Sequence, residues 1–279
     1  MKRFGARLRE AIASRGPLCV GVDPHPSLLA SWGLADDVDG LTRFSEIVIE
    51  AVASRAAAVK PQSAFFERFG TKGVAVLEST IRQLHAAGAI VVLDVKRGDI
   101  GSTAAAYADA YLADGAPLAA DAITASPYLG VGALRPMIDL AVHNGRGVFV
   151  LARTSNPEGT SIQRAVVDGA RTVAQLVVDE ISQVNTGVDP VGDIGVVLGA
   201  TVGGASVDLA GFNGPILLPG LGVQGGRPED LCGVLGDGPV VALASYSRQV
   251  LSSGPSVAAL RGAADRANAE CASVLKITN

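Results

Sequence analysis

The sequence predicts a (β/α)8 barrel, a closed parallel sheet wrapped in helices, and three observations lead there. Eight short apolar runs recur along the chain, separated mostly by segments of helical period, which is the pattern of repeated βα units. Several runs end in polar or charged residues, at the side where such a barrel places its ligand site. At 279 residues, 48% hydrophobic but only 4% aromatic, the chain has the length of one barrel and the small apolar side chains that close helix-on-sheet packing uses. No linker or shift of composition divides it, so one domain over residues 1–279 is expected. A doubly wound open sheet is the other topology that this alternation allows.

Residues 2–15 carry Phe4, Leu8, Ala11 and Ile12 at helical spacing, and Leu18-Cys19-Val20-Gly21-Val22-Asp23 is the first apolar run. Pro24, Pro26 and Gly33 then hold a loop that carries Trp32. Helical period from Phe44 to Ser54 leads to Ala56-Ala57-Ala58-Val59-Lys60, stopped by Pro61. Helical residues 72–87 precede the third run, Val91-Val92-Leu93-Asp94-Val95-Lys96-Arg97-Gly98-Asp99-Ile100. A helix over residues 102–113 precedes Asp121-Ala122-Ile123-Thr124-Ala125-Ser126, and another over 134–144 precedes Gly147-Val148-Phe149-Val150-Leu151-Ala152. Residues 161–184 read as one long helix, with Ile162, Val166, Ala170, Val173 and Val177 along a face. Ile194-Gly195-Val196-Val197-Leu198 is followed by a weak helix near residues 204–211. Pro215-Ile216-Leu217-Leu218-Pro219 and Val240-Val241-Ala242-Leu243-Ala244 supply the last two strands, and residues 256–275 the last helix.

Composition excludes several classes of function. The net charge of -4 is mild and no basic stripe occurs, so nucleic acid is not an expected partner. Apolar runs are interrupted by Asp, Gly or Pro before they reach bilayer length, so no membrane span is expected, and Met1-Lys2-Arg3-Phe4 does not resemble a signal peptide. Cys19, Cys232 and Cys271 form neither a disulfide framework nor a zinc pattern, which suits a reducing cytoplasm. His25, His85 and His143 are scattered, His85 and His143 on surface helix positions, and no metal site is expected. Trp32 and the pair Phe65-Phe66 read as packing residues.

The third run carries the chemistry. Its β-branched start marks a strand buried on both faces, and it then places an acid, a base and a second acid within six positions. Asp94 and Lys96, two apart, share one face, and Asp99 lies past the strand. Charges at a strand end are costly unless they meet one another or a ligand. Asp23, Lys60, Ser126 and the Arg153-Thr154-Ser155 turn also end strands; any one of them alone would read as a solvated loop residue, but the set converges on one barrel mouth. Neighbouring carboxylates favour a lysine's ammonium form, which suits general-acid or electrostatic work rather than Schiff-base chemistry. The loops after the seventh and eighth strands are the usual phosphate end. Pro219-Gly220-Leu221-Gly222-Val223-Gln224-Gly225-Gly226-Arg227 reads as a glycine-rich lid carrying the amide of Gln224, and Ser245-Tyr246-Ser247-Arg248 brings hydroxyls, helix-start amides and a guanidinium to a phosphate.

Asp94-Val95-Lys96-Arg97-Gly98-Asp99-Ile100 resembles the Asp-x-Lys-x-x-Asp-Ile signature of the orotidine 5′-phosphate decarboxylases. Gly21-Val22-Asp23-Pro24-His25-Pro26, Lys60-Pro61-Gln62-Ser63-Ala64-Phe65-Phe66-Glu67, Ala152-Arg153-Thr154-Ser155-Asn156-Pro157-Glu158-Gly159 and Leu218 to Gly226 are similar to the longer bacterial subfamily, so the resemblance runs along nearly the whole chain. It implies decarboxylation of orotidine 5′-monophosphate to uridine 5′-monophosphate in de novo pyrimidine synthesis, with no metal or cofactor. It also implies that Lys96 donates the proton to C6 and that Asp94 stands beside the departing carboxylate and holds Lys96. Asp23 and Lys60 match the ribose contacts, Ser126 the pyrimidine amide contact, and Gln224 the lid residue bridging base and phosphate. Asp99 and Thr103 would act across a homodimer, in the partner's site. The resemblance departs after the last strand: shorter members carry Gly-Arg there, whereas Ala244-Ser245-Tyr246-Ser247 precede Arg248. Three other readings share parts of the pattern: a magnesium-dependent keto-gulonate or hexulose phosphate enzyme on the same barrel, a Schiff-base aldolase built on Lys96, and a phosphate-ligand binding barrel with a degenerate site.

Overall fold

The computed structural model describes residues 2–203, 207–236 and 241–275. Its apolar runs become β1 Leu18–Val22, β2 Ala58–Pro61, β3 Ile90–Arg97, β4 Ala122–Ala125, β5 Gly147–Arg153, β6 Ile194–Leu198, β7 Ile216–Leu218 and β8 Ala242–Tyr246. Each pairs in parallel with its neighbours in sequence, and β8 returns to β1 through Leu18↔Ala244, Cys19↔Ser245 and Val20↔Tyr246, closing the barrel. The expected (β/α)8 architecture is therefore present.

Strand parity sorts the side chains into two cores. Cys19, Ala58, Val92, Ala122, Phe149, Leu217 and Leu243 fill the barrel interior with Phe4, Leu8 and Ile12 of the helix Phe4–Arg15. That helix stoppers the N-terminal end: Phe4 meets Phe149 edge-on at 5.9 Å, and any side chain at Gly147 would strike the Phe4 ring. Two buried acids fasten the stopper, Asp193 to Arg3 Nε (2.8 Å) and the Gly5 amide (2.9 Å), and Asp121 to Arg7 Nη1 (2.5 Å) and the Val91 amide (2.8 Å). The other parity, with Val20, Val59, Val91, Leu93, Ile123, Val148 and Val150, packs outward against the helices. Two residues further along the interior parity from Ala58 and Val92 stand Lys60 and Asp94, so the polar site is stacked directly above the apolar plug.

Three sequence expectations need correction. Residues 161–184 are not one helix: Thr160–Gln163 is a single turn, Val166–Val167 pairs antiparallel with Arg171–Thr172, and only Val173–Val184 is a regular helix. Asp168 and Gly169 both have positive φ (45° and 83°), so they form the tight turn that an Asp-Gly pair favours between antiparallel strands. Ile162 and Val166, at helical spacing, are exposed. The last strand runs on to Tyr246, two residues beyond its apolar run, because Ser245 and Tyr246 satisfy their hydroxyls inside the barrel wall, against the thiols of Cys19 and Cys271. The weak helix expected near 204–211 lies partly outside the described residues, as does Val240, and residues 207–211 are not helical. His85 is exposed on its helix, as expected, and its Nε2 lies 3.1 Å from Asp121 Oδ2.

The long loop after β1 folds into the short helix Pro26–Ser31 followed by Trp32, which stacks on Phe44 at 4.3 Å and donates its indole N–H to Leu251 O at 3.1 Å. It thereby braces the turn Arg248–Leu251 that follows β8. Trp32 and Phe66 are buried packing residues, as expected.

Candidate active site

Asp94 is the hub of the mouth. Its Oδ2 accepts from Lys60 Nζ at 2.8 Å and from Gln62 Nε2 at 3.1 Å; its Oδ1 accepts from Lys96 Nζ at 2.6 Å and from Thr124 Oγ1 at 2.8 Å. Both Lys60 and Asp94 are buried, whereas the Lys96 side chain is 48% exposed and open to the mouth. Burial opposes the charge on Asp94, but the two ammonium groups outweigh it and hold the carboxyl far below its ordinary range. Burial likewise opposes the Lys60 cation, and Asp94 and Asp23 outweigh it, raising Lys60 above the ordinary lysine value.

A local irregularity aims Lys96. Between Leu93 and Arg97 β3 takes four steps while β4 takes two, from Ile123 to Ala125, so the ladder bulges. Lys96 has φ +44°, a left-handed conformation costing a non-glycine residue about 1–2 kcal/mol. Its displaced amide is not orphaned, because it donates to Thr124 Oγ1 at 2.9 Å. Thr124 thus accepts from the Lys96 backbone and donates its own hydrogen bond to Asp94, fixing both members of the acid–base pair with one hydroxyl. Neither Thr124 nor Gln62 is conspicuous in the sequence: Thr124 sits within an ordinary apolar strand, and only the β2–β3–β4 neighbourhood brings them to Asp94.

The remaining candidates fall around this hub. Asp23 and Ser247 crowd over Gly21, where a side chain would begin 2.9 Å from Ser247 Cβ and 3.1 Å from Asp23 Oδ2. Asp23 Oδ1 and Ser247 Oγ are both buried without a hydrogen-bond partner, as groups awaiting a polar ligand would be. Since β8 runs to Tyr246, Ser247 and Arg248 follow the strand immediately, and the arginine is not displaced from the strand end. Arg248 is exposed and close enough to His25 that, with burial as the larger cause and Asp23 opposing, the imidazole is pushed below its ordinary range. Ser245 lies one layer down, within β8 beside the Cys19 thiol, so Ser247 occupies the place at the mouth that the sequence suggested for Ser245. Ser126 is half-buried at the end of β4, its amide bonded to Arg97 O at 2.8 Å.

The glycine-rich loop is a closed ring, with Gly222 N bonded to Gly226 O and Gly226 N to Gly220 O at 2.8 and 2.9 Å. It presents Gln224 to solvent. A side chain at Gly220 would begin 3.3 Å from Ser155 Oγ and 3.7 Å from Gln224 Oε1, so Ser155 faces this loop, a role its sequence context did not reveal. Asp99 and Thr103 stand apart from the hub. The Asp99 carboxylate accepts from the Ile100 amide at 2.8 Å and forms no ion pair among the described residues, and Thr103 is exposed on the first turn of the helix Gly101–Leu112. Among the described residues no group of three His, Cys, Asp or Glu side chains could hold a metal ion.

The chain is similar to known proteins along nearly its whole length. The profile of the orotidine 5′-phosphate decarboxylase / HUMPS family matches residues 16–263. An orotidine 5′-phosphate decarboxylase of Salinispora arenicola is 64% identical over 275 residues, 99% of each chain. One of Streptomyces coelicolor is 57% identical over 266 residues, 95% of this chain and 96% of that one. A crystal structure of a candidate orotidine 5′-phosphate decarboxylase from Streptomyces avermitilis superposes with a TM-score of 0.93 at 54% identity, covering 99% of this chain and 97% of that one. With its barrel, its Asp94-centred lysine pair and its profile match over most of its length, the chain belongs to the orotidine 5′-phosphate decarboxylase / HUMPS family.

Proposed function

We propose that the protein decarboxylates orotidine 5′-monophosphate to uridine 5′-monophosphate, with Lys96 as the proton donor. The observation that carries this reading is the Lys60–Asp94–Lys96 array, in which one buried carboxylate holds an exposed ammonium at 2.6 Å. The bond from C6 to the carboxylate breaks, carbon dioxide leaves, and the electron pair stays in an in-plane orbital at C6. No π-system delocalises that pair, so a fixed ammonium beside C6 stabilises the transition state more than the ground state. Lys96 then gives its proton to C6 and is reprotonated by solvent, which closes the balance of atoms and electrons without a further group.

In this reading Asp94 stands by the departing carboxylate and orients Lys96, Asp23 and Lys60 hold the ribose hydroxyls, and Ser126 meets the pyrimidine. Ser155, which lies against Gly220 in the loop that carries Gln224, is a second group for the base. Gln224 joins base to phosphate, and Arg248 with the hydroxyl of Ser247 takes the dianion; Ser245 supports that wall from below. Binding these remote groups contributes to lowering the barrier at C6.

Asp99 and Thr103 act in the site of a second copy. Asp99 is half-buried and Thr103 exposed, and the loops that follow β3 and β4 expose the large apolar side chains of Ile100 (61%) and of Tyr128 and Leu129 (79% and 54%), which suit a homodimer surface. The whole chain acts as one catalytic domain. Its three cysteines are free, which suits the reducing cytoplasm, and among the described residues no helix is long and apolar enough to cross a membrane.

The test is the ultraviolet absorbance change on adding orotidine 5′-monophosphate to chelator-treated protein. Turnover is expected; no turnover by the wild type, or turnover that vanishes with the chelator, would sink the reading and favour a metal-dependent sugar phosphate enzyme.

A further inference from the structure

We infer that Gln163 and Arg153 form a positioning clasp, through which the segment inserted after β5 sets the Ser155 turn against the glycine-rich loop. The inference rests on the orotidine monophosphate reading of the site, and gives a task to an insert that the reaction does not otherwise use. Arg153 ends β5 and is only 8% exposed, yet no carboxylate among the described residues pairs with it. Neutral oxygens hold it instead: Gln163 Oε1 at 2.8 Å, Thr154 O at 3.2 Å and Thr160 Oγ1 at 3.3 Å. A buried cation without an acid is costly, so what its bonds accomplish is positional.

The same Gln163 amide clamps Thr154 on both sides. Its Oε1 accepts from the Thr154 amide at 3.0 Å and its Nε2 donates to Thr154 Oγ1 at 2.8 Å. Gly159 makes room for this, since a side chain there would begin 2.9 Å from Gln163 Nε2 and 3.1 Å from Thr154 Oγ1. With Thr154 fixed in backbone and side chain, Ser155 has one place to go. Its amide and Cβ lie 2.7 and 3.0 Å from where a side chain on Gly199 would start, and its Oγ lies against Gly220 of the glycine-rich loop. In this proposal Gln163 and Arg153 act on the substrate through Ser155 and the loop it meets.

Gln163→Leu in the full chain should raise KM for orotidine 5′-monophosphate about tenfold, the scale of a charge-assisted hydrogen bond, while kcat and the active fraction stay near wild type. Gln163→Glu keeps the acceptor for Arg153 and the Thr154 amide, and should restore KM to within about threefold. Arg153→Met should give a similar rise, and the double variant Gln163→Leu/Arg153→Met no more than either alone. Gly159→Ala, which displaces Gln163 without removing its groups, should show a smaller rise of the same kind. An unmoved KM with reduced thermal stability would mean a merely structural role, and additive effects would mean two separate residues; either result overturns the clasp. Failure of the parent reading is distinct, because the wild type itself would then turn over no orotidine 5′-monophosphate.

Discussion

A single hydroxyl decides how the acid–base pair is presented. Thr124 compensates the bulge at Lys96 by accepting its displaced amide, and the same oxygen donates to Asp94. Thr124→Val keeps the volume but removes both bonds, leaving a buried carboxylate one donor short. We expect kcat to fall at least about tenfold and stability by about 1–3 kcal/mol, with uridine 5′-monophosphate binding preserved in calorimetry. Lys96→Ala removes the proton donor itself, and turnover should fall by at least about 10³-fold while the protein folds and binds the product. Near-normal rates in Lys96→Ala would take the proton-donor role away from it. Asp94 and Lys96 were legible in the sequence because a two-residue spacing on a strand places side chains on one face. Thr124 was not, because its partner is 30 residues away in an adjacent strand.

At the scale of elements, the ends of β3 and β4 are stitched together where the chain turns out of the barrel. Ser126 N bonds to Arg97 O at 2.8 Å, and a side chain on Gly98 would begin 2.3 Å from the Ser126 carbonyl. That obstacle is backbone and cannot rotate aside. Gly98→Ala should therefore spread the two strand ends, costing about 2 kcal/mol in urea unfolding and reducing turnover through Lys96 and Asp99 on either side. Unchanged stability would show that the strand ends yield freely. The β5 insert teaches a different lesson about elements. Its apolar residues fall at helical spacing, yet Asp168 and Gly169 turn the chain back on itself, a local signal that the 3.6-residue pattern masked.

For the whole molecule, the N-terminal helix closes one end of the barrel and leaves the polar end for ligand. Asp121 is a principal fastening of that helix. Burial raises its pKa, but the His85 hydrogen bond, the Arg7 charge and the Val91 amide outweigh it and lower the value from 3.8 to about 2. A folded-state pKa below the unfolded one contributes stability that is full above the ordinary carboxyl range and lost as pH falls through the folded value. Asp121→Asn should thus cost about 2 kcal/mol at pH 7, with the gap to wild type closing between about pH 4 and pH 2. A gap that stays constant over that range in unfolding titrations would contradict the assignment. Assembly gives the other test at this scale. Neither Lys96→Ala nor Asp99→Ala should turn over well alone, but a mixture allowed to exchange subunits should regain activity, because a hybrid dimer holds one intact composite site. No recovery despite demonstrated exchange would confine Asp99 to its own subunit.

What could be read along the chain was whatever repeats at a fixed local period. Apolar runs of strand length, helical stripes between them and charges at strand ends together specify a barrel and which end of it is polar, since side-chain direction in strands and helices depends only on spacing. The strand boundaries at Ser245 and Tyr246 escaped, because a hydroxyl looks polar in a sequence and is neutralised only when the fold supplies Cys19 and Cys271. The same reason explains why Thr124 and Gln163 came to light only in three dimensions, and why Ser155 and Ser247, already placed at the mouth by their sequence, gained their particular partners only there. Their roles consist of contacts between residues distant in the chain or lodged in irregular turns, and no local period encodes those.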